Sequence, residues 1–420
     1  AAQLAAGVVE GGDQVGLMHQ QEGGVRGVHG FIVVHNAPMN TTLTALETPA
    51  LLLDAPRLLA NIARMKTRMA ALGVTLRPHV KTAKCIEVAR ATDGEGAPPG
   101  PITVSTLREA DQFADHGWTD ITYAVGLTPN KCAHVRRLLD RGVALTVILD
   151  SVDAARALSA ASADWPTPVA VLIEIDTDGQ RAGLPPEAPE LLDIAAALVG
   201  PGVRLRGVLT HCGGSYHCHG AEALRAMAEQ ERAGAVRAAE RLRAAGFDAP
   251  VVSVGATPTA LFAERLDGVT EARPGVFVFH DLMMEALGVC SVDEIAVSVL
   301  TSVIGHRRDR GWTLVDAGWM ALSRDRGLAG EFTDHGLGLV CDADGQPIGG
   351  GDWIVAAANQ EHGLIAHRSG DTARLLDVPV GTLLRILPQH VCATAAQHPA
   401  YAVVDADGQV RARWPRFMGW

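Results

Sequence analysis

The chain has no long apolar run and no long basic tract. No stretch approaches the roughly 20 apolar residues that cross a bilayer, so we expect no membrane span. The formal net charge is −11, which together with the missing basic tract argues against nucleic acid as a partner. Hydrophobic residues make up 48% of the chain and charged residues 20%, a composition typical of a globular, soluble protein.

A disulfide framework and a secretory signal are also missing. The seven cysteines form an odd, scattered set at positions 85, 132, 212, 218, 290, 341 and 392. This distribution is typical of reduced thiols, so we expect a cytoplasmic protein. Residues 1–38 have neither the charged start nor the compact apolar run of a secretory signal. We expect them to be an N-terminal extension without an assigned function, followed at Met39 by what resembles a natural start.

Short apolar strands alternate with amphipathic helices from residue 74 onward. The predicted strands are 74–80, 102–105, 121–125, 145–150, 169–176, 204–211, 251–254 and 275–279. They are apolar throughout, as parallel strands covered on both faces are. Helices are predicted at 57–72 and 221–246. Eight strands alternating with helices predict an α/β chain with a (β/α)₈ TIM barrel over 57–289. A doubly wound sheet is the rival fold, weakened because no GxGxxG follows an early strand.

The pattern changes after residue 290, where no long helical period remains. Residues 294–318 read as two strands around a turn, and 338–350 and 401–414 each contain an Asp-Gly hairpin signal. We therefore predict a C-terminal antiparallel β-domain over 290–420. With a chain of 420 residues, two domains are expected. Residues 39–56 form a leading segment whose TPALLLD stretch could join the β-domain.

Polar candidates follow several predicted barrel strands, at the end where barrels bind their ligands. Lys81 follows the first strand beside His79, and a partly desolvated lysine can form a Schiff base. Spacing alone favours a surface lysine. Gly255, Ala256 and Thr257 follow the seventh strand and have the make-up of a phosphate-binding turn, although small residues at such turns are common. The two remaining candidates are Arg181, which could equally be an ordinary surface arginine, and His211, which ends the sixth strand.

Two stretches compete as a metal site. "PQHVCATAAQH" (388–398) contains His390 and Cys392, which an extended backbone would point to the same face. "HCGGSYHCH" (211–219) has more potential ligands. An H-x-C pair taken by itself is more often structural than metal-binding, so spacing leaves the choice open.

Seven motifs together resemble a known family. In chain order they are "RPHVKTAK", "ITVSTLREA", "IEIDTDGQRAG", "THCGGSY", "SVGATPT", "NQEHG" and "PQHVCAT". From about residue 46 to 420 the chain is similar to fold-type III pyridoxal-phosphate enzymes of the D-serine dehydratase and D-threonine aldolase branch. The resemblance implies an alanine-racemase-like barrel with an antiparallel β-domain, pyridoxal 5'-phosphate as cofactor, and a homodimer.

The resemblance also assigns roles to residues. Lys81 would carry the cofactor and act as the catalytic base, with His79 beside it. Gly255, Ala256 and Thr257 would hold the phosphate, with Ala256 offering only its N–H where the family often has a hydroxyl. The residues near the cofactor ring would be Arg181, His211 and Tyr216. The divalent-metal ligands would be His390 and Cys392, with Zn²⁺ as first choice and Mn²⁺, Mg²⁺ or Co²⁺ as alternatives. The unassigned residues of the competing cluster, which would then be packing or surface residues, are Cys212, His217, Cys218 and His219.

The implied activity is dehydration of a D-3-hydroxy amino acid, of the D-threo-3-hydroxyaspartate or D-serine type, to a 2-oxo acid and ammonia. The alternative is a D-threonine aldolase that releases glycine and an aldehyde, but aldolases of this branch tend to have H-x-D where this chain has H-x-C. A non-catalytic cofactor carrier and a racemase are further alternatives. The candidates for binding a second substrate carboxylate are Arg324, Arg326 and His362.

Overall fold

The computed structural model describes residues 40–327 and 332–419, so the predicted extension 1–38 lies outside the described residues. The strands are β1 (Ala50–Asp54), β2 (Thr75–Leu76), β3 (Ile102–Val104), β4 (Asp120–Gly126), β5 (Ala144–Leu149), β6 (Val169–Ile175), β7 (Val203–Thr210), β8 (Val251–Val254), β9 (Glu271–Ala272), β10 (Val297–Arg307), β11 (Trp312–Val315), β12 (Gly338–Cys341), β13 (Trp353–Ala358), β14 (Gly363–His367), β15 (Leu383–Pro388), β16 (Ala400–Val404) and β17 (Val410–Pro415).

Helices fill most of the connections in the first half of the chain. They are α1 (Ala55–Ala71), α2 (Ile86–Asp93), α3 (Leu107–Ala114), α4 (Cys132–Asp140), α5 (Val152–Ala161), α6 (Glu190–Ala197), α7 (Gly220–Ala244), α8 (Thr257–Phe262), α9 (Leu282–Ala286), α10 (Trp319–Leu322) and α11 (Val391–Ala395). Among the described residues, no helix has the length and apolarity needed to cross a membrane.

The predicted barrel is confirmed. Strands β2 to β9 form one parallel sheet in the order β2-β9-β8-β7-β6-β5-β4-β3. A parallel bridge between His79 and Thr103 joins the two ends of that order. Within the barrel, Ile148, Leu172 and Leu209 pack as one buried apolar cluster. A buried apolar cluster therefore fills part of the barrel.

The eighth strand was placed wrongly by the sequence pattern. Residues 275–279 are not a strand; Val276–Val278 form a 3-10 helix, and β9 lies earlier, at Glu271–Ala272. Both segments are buried. A short buried apolar run has no period that distinguishes strand from helix, so the longer run misled the prediction. The correction matters because Arg273 directly follows the true strand and is thereby placed at the mouth of the barrel.

The first helix begins where the sequence indicates. Asp54 is the N-cap of α1, and its carboxylate accepts a hydrogen bond from Arg57 N–H at 3.0 Å. Pro56 occupies the first turn, where a missing N–H costs nothing. The apolar positions Leu58, Ile62 and Met65 are buried, as their spacing predicts.

The second half of the chain forms a mainly antiparallel sheet in the order β11-β14-β13-β12-β15-β10-β1-β16-β17. Both Asp-Gly hairpin predictions are confirmed: Gly345 and Gly408 sit in the turns after β12 and β16 with φ of +84° and +74°. Strand β1 belongs to this sheet, because it pairs with β10 and β16 although it precedes the barrel in sequence. Both ends of the barrel segment are thus tied to the second sheet.

A buried arginine near the C-terminus joins the two halves of the molecule. Arg416 is 6% exposed and donates to the carbonyl oxygens of Ala83 (3.0 Å), His398 (3.1 Å) and Ala395. It also donates to the Tyr401 hydroxyl at 2.9 Å, which itself donates to Ala83 O at 2.8 Å. The turn after the first barrel strand and the end of α11 are therefore held by one guanidinium.

Replacing this residue with leucine (Arg416→Leu) should destabilise the protein by about 2–4 kcal/mol, because several buried carbonyl acceptors lose their donors. We expect a lower melting temperature in thermal unfolding. Arg307→Leu is the matched control, since the Arg307 side chain is 52% exposed and forms an ion pair with nearby Asp309. Equal melting temperatures for the two variants would show that the buried contacts of Arg416 do not stabilise the packing of the turn after the first barrel strand against the end of α11.

Candidate active site

A cavity of about 320 Å³ opens at the carboxyl ends of the barrel strands. Four residues singled out in the sequence line it together, namely His79, Lys81, Arg181 and His211. Its other polar lining residues are Ser105, Glu174 and Arg273. The strand ends thus bring together side chains that are up to about 190 residues apart in sequence.

Lys81 differs from the other lysines in having no partner. The chain contains only four lysines, at positions 66, 81, 84 and 131. Lys66 donates to two carbonyl oxygens, Lys84 pairs with Glu109 at 2.9 Å, and Lys131 donates to a tyrosine hydroxyl at 2.6 Å. Among the described residues Lys81 makes neither a hydrogen bond nor an ion pair. Of the four lysine amines, all within the part of the chain that the structure describes, it is therefore the one free to react with a ligand in the cavity.

The cavity also lowers the basicity of its amine and rings. The Lys81 side chain keeps surface open to the cavity, but the surrounding walls desolvate its amine, and this lowers the pKa of the amine. Arg181 and Arg273 lower that pKa further because they are cations, whereas Cys392 raises it. Burial likewise brings the pKa of His79 and of His211 well below the usual range, helped by the same cations. Both imidazoles are consequently neutral near pH 7.

Arg273 is a site residue that the sequence analysis did not assign. Its guanidinium is buried and donates to Ser253 Oγ at 2.8 Å and to the carbonyl oxygen of Thr210. Ser253 Oγ in turn donates to Glu271 at 2.7 Å, so Ser253 links the guanidinium of Arg273 to a carboxylate of strand β9. Burial lowers the pKa of Arg273 to about 10. The sequence analysis missed Arg273 because it placed the eighth strand too late in the chain. With the strand at its true position, Arg273 would have followed a strand end and been a candidate.

One backbone donor of the predicted phosphate turn already has a partner within the protein. The N–H of Gly255 donates to the buried Glu231 at 3.2 Å, so it is already engaged and its carbonyl accepts from His211 Nδ1 at 3.1 Å. The Thr257 hydroxyl accepts from the N–H of Phe277 at 3.2 Å and keeps its own proton to donate. The donors that remain at the turn are the N–H groups of Ala256 and Thr257 and the Thr257 hydroxyl. Burial raises the pKa of Glu231, which supports the turn from behind, to about 7.

The stretch 211–219 places Tyr216 beside His211, and the role of Tyr216 at the cofactor stays a prediction. Residues Gly213–His217 form a 3-10 helix that carries Tyr216, whose ring lies 6.4 Å from that of His211. The two cysteines of the stretch, Cys212 and Cys218, are buried. His219 is exposed and stacks on Phe332 at 4.6 Å. Among the described residues no group of three or more histidine, cysteine or carboxylate side chains could hold a metal ion.

His390 and Cys392 lie next to the cavity, but not in the extended geometry that the sequence suggested. His390 is the N-cap of α11, with φ of −133°, and Cys392 lies in the first turn of that helix. Thr82, which follows the cavity lysine, has its hydroxyl 3.2 Å from Cys392 Sγ. The His390 and Cys392 side chains are also hydrogen-bonded to each other. One nitrogen and one sulfur are thus adjacent, a donor set that suits a borderline cation such as Zn²⁺.

The three candidates for a second substrate carboxylate are all exposed. Arg326 already pairs with Asp334. Arg324 lies over the Trp319 ring at 4.2 Å. None of the three lines the cavity, so their assignment stays a prediction.

Two families match the chain in sequence. "Alanine racemase, N-terminal domain" covers residues 53–282 and "Putative serine dehydratase domain" covers residues 296–404. The first match coincides with the barrel and the second with most of the antiparallel sheet. Together they span the elements that carry Lys81 and the His390–Cys392 pair.

Among curated proteins, the chain is 53% identical to D-threo-3-hydroxyaspartate dehydratase of Delftia sp. (strain HT23) over 387 residues, 91% of this chain and 100% of that protein. The solved structure of that dehydratase superposes with a TM-score of 0.86 at 52% identity, covering 90% of this chain and 100% of the other. The 3-hydroxy-D-aspartate aldolase of Paracoccus denitrificans (strain Pd 1222) is 27% identical, covering 88% of this chain and 91% of the aldolase. The chain therefore belongs to the fold-type III pyridoxal-phosphate enzymes that join an alanine-racemase barrel to a serine dehydratase domain.

Proposed function

We propose that this protein is a pyridoxal-phosphate- and metal-dependent dehydratase that converts a D-3-hydroxy amino acid to a 2-oxo acid and ammonia. The observation that carries the proposal is the meeting of two parts of the chain: Thr82, adjacent to the free Lys81, contacts Cys392 Sγ at 3.2 Å. An amine in the cavity and a nitrogen–sulfur pair joined to it through Thr82 suit a substrate with an amino group and a neighbouring hydroxyl.

The cavity residues fit pyridoxal phosphate. Lys81 is the only unpaired lysine among the described residues, and the buried Nδ1 of His79 has no hydrogen-bond partner there. The donors at Ala256 and Thr257 lie at the start of α8, a position suited to a phosphate group. When bound, the cofactor supplies an electron sink for a bond broken at Cα of the substrate.

Lys81 is the base in this proposal. The desolvating walls lower the pKa of its amine, and Arg181 and Arg273 lower it further, which favours the neutral form that can accept the Cα proton at Nζ. Arg273, which donates to Ser253 and to the Thr210 carbonyl, contributes a second cation to the cavity. His79 and His211 add no positive charge near pH 7, because both have depressed pKa values.

His390 and Cys392 would hold the divalent metal. Two protein ligands leave coordination positions for water and for substrate oxygens, as a catalytic site requires. Bound there, the metal would supply a Lewis acid for the β-hydroxyl of the substrate. We keep Zn²⁺ as first choice because nitrogen and thiolate donors favour it, with Mn²⁺, Mg²⁺ and Co²⁺ as alternatives.

D-threo-3-hydroxyaspartate is the first substrate to test, since the relative with 53% identity is named for its dehydration. D-serine is the second. The competing outcome is aldol cleavage, because an aldolase for 3-hydroxy-D-aspartate is among the relatives at 27% identity. The H-x-C pair supports dehydration over cleavage.

We also propose a cytoplasmic homodimer. All seven cysteines are unpaired, and six of them are buried, which suits a reducing compartment. The dimer rests on the family resemblance alone. Light scattering coupled to size-exclusion chromatography measures it directly, and a mass of one chain, 44.1 kDa, would remove this part of the proposal.

Product analysis tests the reaction. Incubation with D-threo-3-hydroxyaspartate should release ammonia and a 2-oxo acid in equal amounts, detected by coupled dehydrogenase assays. D-Serine, D-threonine and the erythro diastereomer serve as comparison substrates. Glycine and an aldehyde as products would identify an aldolase instead.

Substitution of the free lysine tests the cofactor site. Lys81→Ala should lose the absorbance near about 420 nm expected of the lysine-bound cofactor, and should lose activity with it. Lys66→Ala is the control, because that amine bonds only to carbonyl oxygens of the Thr92–Asp93 segment. A Lys81→Ala protein that keeps the band would mean that another lysine carries the cofactor.

Metal removal tests the proposed metal site at His390 and Cys392. Dialysis against EDTA should abolish dehydratase activity while leaving the cofactor absorbance in place, because the lysine and the metal pair are separate groups. Activity should return on adding Zn²⁺. A racemase or a carrier would be indifferent to the chelator, so unchanged turnover after verified metal loss excludes the metal-assisted reaction.

A further inference from the structure

The loop Ser323–Gly327, between α10 and β12, is built around one carboxylate. Ser323 has φ of +72°, a left-handed conformation that is costly for a residue with a side chain. Its hydroxyl accepts the Asp325 N–H at 3.1 Å. Asp325 Oδ1 accepts the Gly327 N–H at 2.8 Å. One oxygen of the Asp325 carboxylate is thereby tied to its own loop, which fixes the direction of the other.

The second oxygen of Asp325 points at the metal pair. Oδ2 lies 2.6 Å from His390 Nδ1, a short contact typical of a charge-assisted hydrogen bond. Because a carboxylate only accepts, Nδ1 must carry the proton, and the other ring nitrogen is left to bind a metal. The same ring is hydrogen-bonded to Cys392, so its orientation toward the thiol is set as well.

A different carboxylate holds the backbone of the pair. Asp281 is 1% exposed and accepts the Val391 N–H at 2.9 Å with one oxygen and the Met284 N–H at 3.0 Å with the other. Asp281 therefore fixes the main chain between the two ligands, but it makes no hydrogen bond to either ligand side chain. Orientation of the imidazole is left to Asp325.

We propose that Asp325 is a positioning residue of the metal site, which selects the ring tautomer and orientation in which His390 binds the metal. This inference rests on the proposed function, because it assumes that His390 and Cys392 hold the metal. Carboxylates that receive the outer N–H of a ligating histidine commonly raise metal affinity by an order of magnitude or more. Sequence gave no hint of this role, since Asp325 lies 65 residues from His390.

The test is the metal affinity of the purified holoenzyme, measured by competition with a chromogenic chelator for Zn²⁺. Asp325→Ala should raise the Zn²⁺ dissociation constant about 10- to 100-fold. Asp325→Asn should show a smaller increase, because an amide oxygen can still accept from Nδ1. Asp334→Ala is the matched control, since this nearby carboxylate pairs with Arg326 and should leave Zn²⁺ affinity unchanged.

Two further readouts separate positioning from folding. The Asp325 side chain is 43% exposed, so Asp325→Ala should keep the wild-type melting temperature and the lysine-bound cofactor absorbance. Asp281→Asn, which disturbs a buried carboxylate, should lower the melting temperature. Should Asp325→Ala itself unfold, the milder Asn variant supplies the affinity comparison.

His390→Ala distinguishes the failure of this inference from that of the proposed function. Loss of Zn²⁺ binding in His390→Ala, with wild-type affinity in both Asp325 variants, would overturn the positioning role and leave the metal site intact. Wild-type Zn²⁺ affinity in His390→Ala as well would remove the metal site itself, and this inference with it.

Discussion

The contact between the turn after the first barrel strand and helix α11 is the constraint on which the rest of the molecule depends. Thr82 meets Cys392 in that contact, while Arg416 and Tyr401 hold the carbonyl of Ala83. The groups involved come from opposite ends of the described chain and are nearly all buried. A lysine and a nitrogen–sulfur pair can share one substrate only if this junction is rigid, because a displacement of about 1 Å is enough to impair catalysis severely.

The charge balance of the cavity follows from the same arrangement. Lys81, Arg181 and Arg273 supply positive charge, and Glu174 is the one acidic side chain among the residues that line the cavity. An excess of cations in a desolvated space is costly unless an anion shares it. Burial depresses the pKa of both cavity histidines and the surplus of cations depresses it further. The same surplus matches the phosphate-bearing cofactor proposed here. Glu231 and Glu271 lie behind the cavity and hold its backbone and Arg273 in place.

Much of this architecture could be predicted from the sequence, because strands and helices have strong periodic signals. The alternation of strands and helices predicts the barrel, and the Asp-Gly pairs predict the hairpins. The positions at which the barrel strands end predict the cluster of His79, Lys81, Arg181 and His211. Boundaries inside short buried runs could not be predicted, and the error at 275–279 hid Arg273. The local backbone conformation at the metal pair could not be predicted either. His390 and Cys392 come together at the start of a helix rather than along an extended strand. The contacts that Asp325 and Arg416 make with residues far away in the sequence leave no periodic pattern from which they could be predicted.

The pairing of β1 with β10 and β16 has a consequence for how the chain is made. Leu52 pairs with Ser298 on one side and with Ala402 on the other, so about 250 residues must be synthesised before β1 finds its first neighbour and about 350 before it finds the second. The barrel segment lies entirely between these partners. During translation the barrel can assemble first, as domains generally fold as units, whereas its flanking sheet waits for the end of the chain. Until β16 is made, at least one edge of the apolar strand β1 stays open, and an open apolar edge favours aggregation of the nascent chain.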